Sequence, residues 1–196
     1  MTSITLGNMR DIDLGFRVLA ESQEPLIPST RDNGMVIDGR HGTYDFGAYL
    51  NAKPFVYECA FIPQGTNYEN PSATELQACV RGLAQHMTDS YGKPRDLILR
   101  RSWEPDKYYI ARYSGDTPIE RIAYNCIGLF TLPLIAFDPF AYANEEQIYE
   151  TTIETSPTPI QIISSGNVRT QPVIVLTNTG SSTITNFRIT NEYRLE

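Results

Sequence analysis

The segment Pro54–Pro63 constrains the fold more than any other stretch of the sequence. Read at a period of two, Phe55, Tyr57, Cys59 and Phe61 fall on one side and Val56, Glu58, Ala60 and Ile62 on the other. Both sides are apolar apart from Glu58, which predicts a strand covered on both faces and therefore inside a sheet. The same alternation predicts strands over Leu97–Arg101 and Lys107–Tyr113, joined as a hairpin through the turn-forming Glu104-Pro105-Asp106. Further strands are expected over Ile119–Tyr124 and Ile127–Phe137.

One helix interrupts this pattern. Ser72 followed three residues later by Glu75 forms a capping box after Asn70-Pro71. Leu76, Cys79, Val80, Leu83, Ala84 and Met87 then recur at three- and four-residue steps, giving one apolar stripe. Tyr91-Gly92-Lys93-Pro94 is the stop signal, because Gly permits a left-handed turn and Pro prevents the helix from resuming. The expected class is mainly β: an α+β N-terminal domain with one principal helix at about 72–90, followed by part of a β-sandwich.

That second part rests on a change of composition near residue 143. Residues 144–196 hold ten threonines in 53 positions against nine in the preceding 143, with neither cysteine nor lysine. Short alternating runs at Gln147–Glu154, Ile160–Ile163, Pro172–Thr177 and Thr183–Thr190 are divided by Pro-, Gly-, Ser- and Asn-rich turns, as in a β-sandwich. The division is therefore 1–143 and 144–196. Four strands do not complete a sandwich, so the second domain is expected to be cut short or to pair with something else. The closing Leu195-Glu196 has the look of a cloning scar.

Charge and motifs narrow the function. A net charge of −7 with scattered basic residues opposes a sequence-independent grip on nucleic acid; the adjacent Arg100-Arg101 reads as a solvated strand edge. No apolar run approaches the roughly 20 residues of a membrane helix, and Met1-Thr-Ser-Ile lacks a secretory pattern, so synthesis in a cytoplasm is expected. Cys59, Cys79 and Cys126 fit neither a disulfide framework nor a metal spacing and read as reduced core residues. His86 lies near the helix C-terminus, where a basic group is favourable. His41 lies in a Gly-rich turn; Asp38, His41 and Asp45 match no metal signature. Neither Gly-x-Ser-x-Gly nor a phosphate-binding Gly loop occurs, so no catalytic residue, metal or cofactor is expected.

Several features recur in order from Arg40 to Tyr142: Arg40-His-Gly, the strand Pro54–Pro63, the helix Ala73–Asp89, Gly92-Lys-Pro-Arg-Asp-Leu-Ile-Leu-Arg100, Lys107-Tyr-Tyr-Ile-Ala-Arg112 and Ala136-Phe-Asp-Pro-Phe-Ala-Tyr142. In this sequence of features the chain resembles the N-terminal domain of the siphophage distal tail protein family, and its Thr-rich end resembles the start of the galectin-like sandwich that follows in that family. The resemblance implies a non-enzymatic structural protein of a long, non-contractile phage tail, located in the virion tail at the baseplate hub. It implies a homohexameric ring, coaxial with the tail tube, which joins the tube protein to a tail-associated or tail-tip protein and lets DNA pass without specific binding. The chain is too short for the whole outer sandwich.

A ring of β-rich subunits covers edges and apolar faces that would otherwise stay open. The expected inter-subunit surfaces are the N-terminal arm with Ile4 and Leu6, the Arg40–Asp45 loop with Arg40, His41 and Tyr44, and the hairpin around Trp103, an aromatic that also suits ordinary hairpin packing. The second reading is a carbohydrate-binding β module for a host surface glycan, with Tyr108, Tyr109 and Tyr113 as its aromatics. A cell-wall hydrolase ranks third, since no motif supports it.

Overall fold

A computed structural model describes residues 2–20, 22–62, 72–122 and 127–192. In chain order its elements are β1 (Ile4–Leu6), β2 (Met9–Arg10), β3 (Phe16–Val18), β4 (Thr30–Met35), β5 (Tyr44–Leu50), β6 (Lys53–Phe61), α1 (Ala73–Met87), β7 (Leu97–Arg101), β8 (Glu104–Tyr113), β9 (Ile119–Ile122), β10 (Ile127–Ala136) and β11 (Tyr142–Ala143). The mainly β class with a single principal helix is borne out. The chain divides into two compact units, Met1–Gln147 and Ile148–Glu196.

Among the described residues of the first unit, nine strands make one antiparallel sheet in the order β2-β1-β7-β8-β10-β6-β3, with β9 added to β10 and β11 to β8. Strand β6 is interior, as its sequence requires: β10 pairs along its whole length, from Gly128↔Phe61 to Ala136↔Lys53, and β3 pairs on its other side. Its Phe55, Tyr57, Cys59 and Phe61 are buried. The opposite face is covered less than the sequence implied, with Val56 and Glu58 half-buried and Ile62 exposed. Strand β10 alternates in the same way, burying Phe130, Leu132, Leu134 and Ala136. Phe16, Phe61 and Phe130 meet at ring-centroid distances of 4.3 to 6.3 Å and knit β3, β6 and β10 together.

Helix α1 packs on β6 and β10 through Leu76 and Leu83, with Cys79, Val80 and Met87 partly buried beside them. The Ser72 hydroxyl caps it by accepting from Thr74 N at 3.3 Å. The helix ends at Met87; Asp89 organises the turn beyond it, accepting from Tyr91 N and Lys93 N, both at 2.8 Å. His86 Nε2 reaches the Leu6 carbonyl at 2.8 Å, so it carries the proton and fastens the helix to β1. Its Nδ1 faces Arg95 Nη2 at 3.3 Å.

Two local expectations change. The β7–β8 hairpin turns at Ser102-Trp103, not at Glu104-Pro105-Asp106, which lies within β8. Arg101 is consequently opposite Glu104, and its side chain is buried, not solvated. The four runs expected as strands in 147–190 form no ladder among the described residues. Their alternating apolar residues, Val173 and Val175 among them, are exposed, because no neighbouring strand meets their backbone or covers their apolar side. Within that unit Tyr149 Oη donates to the Ile163 carbonyl at 2.7 Å. Tyr124 and Cys126 lie outside the described residues; Cys59 and Cys79 are free thiols. No helix among the described residues is long and apolar enough to cross a membrane.

Candidate assembly surface

Among the described residues, strands β4 and β5 pair only with each other, in a two-stranded sheet separate from the main one. Their register runs from Thr30↔Leu50 to Met35↔Tyr44, with a bulge between Asp32 and Gly34. At the base, Asn51 N donates to Ser29 O at 2.8 Å and Asn51 Nδ2 to Ser29 Oγ at 3.1 Å. At the tip, Gly39 and Gly42 take φ values of +81° and +85° and turn the chain back. Every residue from 29 to 51 is exposed, including Met35, Val36, Ile37, Tyr44, Phe46 and Tyr49. A lone two-stranded ribbon is marginal in water, and so many large apolar side chains exposed on one suit an interaction site.

Arg40, His41 and Tyr44 are together on this ribbon, where the Arg40 guanidinium lies 3.8 Å from the centroid of the Tyr44 ring. Asp45 is used locally, its Oδ1 accepting from Gly47 N at 2.8 Å. Among the described residues no three His, Cys, Asp or Glu side chains gather as a metal-holding group. Ile4 and Leu6 are elsewhere: at 0% and 1% exposure they belong to the chain's own core, so their side chains are occupied within the subunit. The expectation that they face a neighbour overlooked that β1 pairs with both β2 and β7 and turns them inward.

Trp103 sits at the hairpin turn, 43% exposed, with its edge against Tyr57 at 6.4 Å. Beneath it the buried Arg101 bonds to Glu24 and Glu104 and lies over the rings of Phe55, Trp103 and Tyr109. Lys107 joins Glu104 at 3.4 Å. Lys53, also buried, donates to Tyr109 Oη at 3.3 Å. The three tyrosines expected on a glycan groove do not share a face. Tyr109 is buried, while Tyr108 stacks on Tyr142 at 5.4 Å from an alternate position of β8.

One surface escaped the sequence reading. Ile98 and Ile110 pair across the outer face of β7 and β8 and are both exposed, flanked by Arg100 and Arg112. Isoleucine alternation signals a covered strand, so nothing local marked this face as open.

The first unit is thus a mainly β domain that carries an exposed apolar ribbon. The family model described as phage tail protein RIFT-related domain matches residues 12–136. The chain belongs to this family, which bears out the resemblance drawn from Arg40 to Tyr142. Among solved structures, that of the SPP1 Dit (gp 19.1) protein, described as a paradigm of the hub adsorption apparatus in phages infecting Gram-positive bacteria, matches with a TM-score of 0.57 at 19% identity. The match covers 73% of this chain and 52% of that one, so this chain spans about half the length of the structure it resembles. No curated protein matches the chain.

Proposed function

We propose that this protein is the hub of a long, non-contractile phage tail, a homohexameric ring that joins the tail tube protein to the tail-tip or tail-associated protein. The exposed β4–β5 ribbon on a phage tail domain is the observation that carries this reading. A closed ring needs two different, complementary patches on each subunit. The ribbon supplies one, and the outer strip of Ile98, Ile110, Arg100 and Arg112 is suited to the other. The net charge of −7 also suits the wall of a channel through which DNA passes without sticking. The protein is made in the bacterial host's cytoplasm and resides in the virion tail, with no enzymatic task. Residues 144–196 belong to a galectin-like sandwich, a reading supported by their Thr-rich composition and short alternating runs.

The test replaces residues 31–49 with a short Asp-Gly turn. The shortened protein keeps its sheet signal in circular dichroism and loses ring assembly in mass photometry. Rings that form equally well without the ribbon contradict the assignment.

A further inference from the structure

Asn33-Gly34 is the only Asn-Gly pair in the chain, and it lies in β4 on the exposed ribbon. We propose that it is a self-modification site, where Asn33 loses its side-chain amide through a succinimide and becomes aspartate or isoaspartate, ageing the ribbon of the free subunit. The reaction needs a backbone nitrogen that can reach the side-chain carbon of the preceding Asn. Glycine, with no Cβ and the widest backbone freedom, permits that approach best.

The pairing of the ribbon leaves this residue without a counterpart. Between Asp32↔Ala48 and Gly34↔Asp45 the single Asn33 stands against two residues, Phe46 and Gly47, and has no Cα partner. Such a bulge interrupts the ladder locally, and Gly47 takes a φ of +94° there. Asn33 is exposed, and its side-chain amide makes no hydrogen bond among the described residues. Three other asparagines differ on both counts. Asn51 Nδ2 donates to Ser29 Oγ at 3.1 Å, Asn144 Nδ2 to the Pro105 carbonyl and Asn178 Nδ2 to the Ser182 carbonyl at 2.8 Å, and each is followed by a residue with a side chain.

The ribbon's own packing also keeps the glycine in place. A Cβ at position 34 would stand 2.7 Å from Thr43 Cγ2 and 3.4 Å from the Tyr44 carbonyl, so the larger residues that slow cyclisation are disfavoured there. In the reaction, hydroxide takes the Gly34 N–H proton and the nitrogen attacks Asn33 Cγ. A C–N bond forms in the ring, and the amide nitrogen takes a proton from water and leaves as ammonia. Water then opens the ring, at Cγ to give aspartate or at the backbone carbonyl to give isoaspartate, so that the net change is water in and ammonia out. Either product places a carboxylate beside Asp32 and next to Gly34, the partner of Asp45. Isoaspartate in addition lengthens the β4 backbone, which spoils the register Gly34↔Asp45 and Met35↔Tyr44.

The test incubates the full chain in mildly alkaline buffer and follows it by mass spectrometry after trypsin, which cuts at Arg31 and Arg40 and releases residues 32–40. Exchange of the Asn33 amide for an acid changes the mass of this peptide. Isomerisation at Asp38-Gly39 in the same peptide loses and regains water and leaves the mass unchanged. Residue 33 is expected to convert about tenfold faster than Asn51, Asn144 or Asn178, the equivalent of a barrier about 1.4 kcal/mol lower. The rate rises with pH, fragmentation shows isoaspartate in the product, and N33Q keeps the peptide at its starting mass.

Conversion at residue 33 no faster than at the three hydrogen-bonded asparagines, a rate indifferent to pH, or the same mass gain in N33Q overturns the proposal. Its consequence for assembly rests on the hub reading: the aged parent loses rings in mass photometry while aged N33Q keeps them. Rings that form equally well from fully converted chain overturn that consequence. A chain that forms no rings, fresh or aged, contradicts the hub reading instead, and the peptide measurement then decides the modification site by itself.

Discussion

Tyr57 and Cys59 occupy successive inward positions of β6, and burial pushes the phenol and the thiol well above their ordinary values of 10.0 and 9.0. The folded chain therefore keeps both groups protonated at pH values where the unfolded chain releases them. Their contribution to stability is complete below about pH 9 and is lost as pH rises toward the folded values. Urea unfolding between about pH 7 and pH 11 is expected to show stability falling above pH 9, by up to ~1.4 kcal/mol per pH unit for each group. The double variant Y57F/C59V flattens that limb. Gly15 is a second sensitive position. Its φ is +80°, and a Cβ there would stand 2.5 Å from Cys79 Sγ. G15A should cost ~2–3 kcal/mol by chemical denaturation, and adding C79A should recover the steric part but not the backbone part. The sequence showed a Gly; only the fold shows that α1 presses a sulfur against it. Ile4 and Leu6 make the same point, since three-residue β1 is too short for its periodicity to tell core from surface.

Helix α1, β6 and β10 were legible because each carries its own signal: a cap and a stripe for the helix, sustained alternation for the strands. S72A is expected to destabilise the protein by ~1 kcal/mol and L83A by ~2–5 kcal/mol, both read by thermal or urea unfolding of the full chain. The hairpin turn was misplaced because a contact some forty residues away overrides local composition. Asn144 N donates to Asp106 O at 2.9 Å, and Asn144 Nδ2 to Pro105 O, holding Glu104-Pro105-Asp106 extended as the start of β8. The segment that delivers Asn144 is itself shaped by Asp138, whose Oδ1 accepts from Phe140 N at 3.2 Å and whose Oδ2 accepts from Tyr142 Oη. The Asp-Pro-Phe-x-Tyr pattern is thus a fold-back device that seats β11 on β8. N144A, by releasing this strap, should raise amide exchange across residues 106–108 while leaving β6 and β10 protected.

On the scale of the whole molecule, the Thr-rich composition of the second unit is visible in the sequence. The absence of paired strands in residues 148–192 is not, because alternation states which strands a segment can form and says nothing of the neighbours it needs. The ribbon was legible only at its tip: Arg40-His-Gly pointed to a turn, but the full exposure of residues 29–51 follows from a pairing that no other strand among the described residues joins. Such a surface is stabilised by association. The most direct measurement is molar mass in solution by light scattering across a concentration series, with electron microscopy of the largest species. The account predicts a species of about six times 22.1 kDa that appears in micrographs as six-fold rings. A strict monomer at every concentration, with or without tail partners, would contradict it.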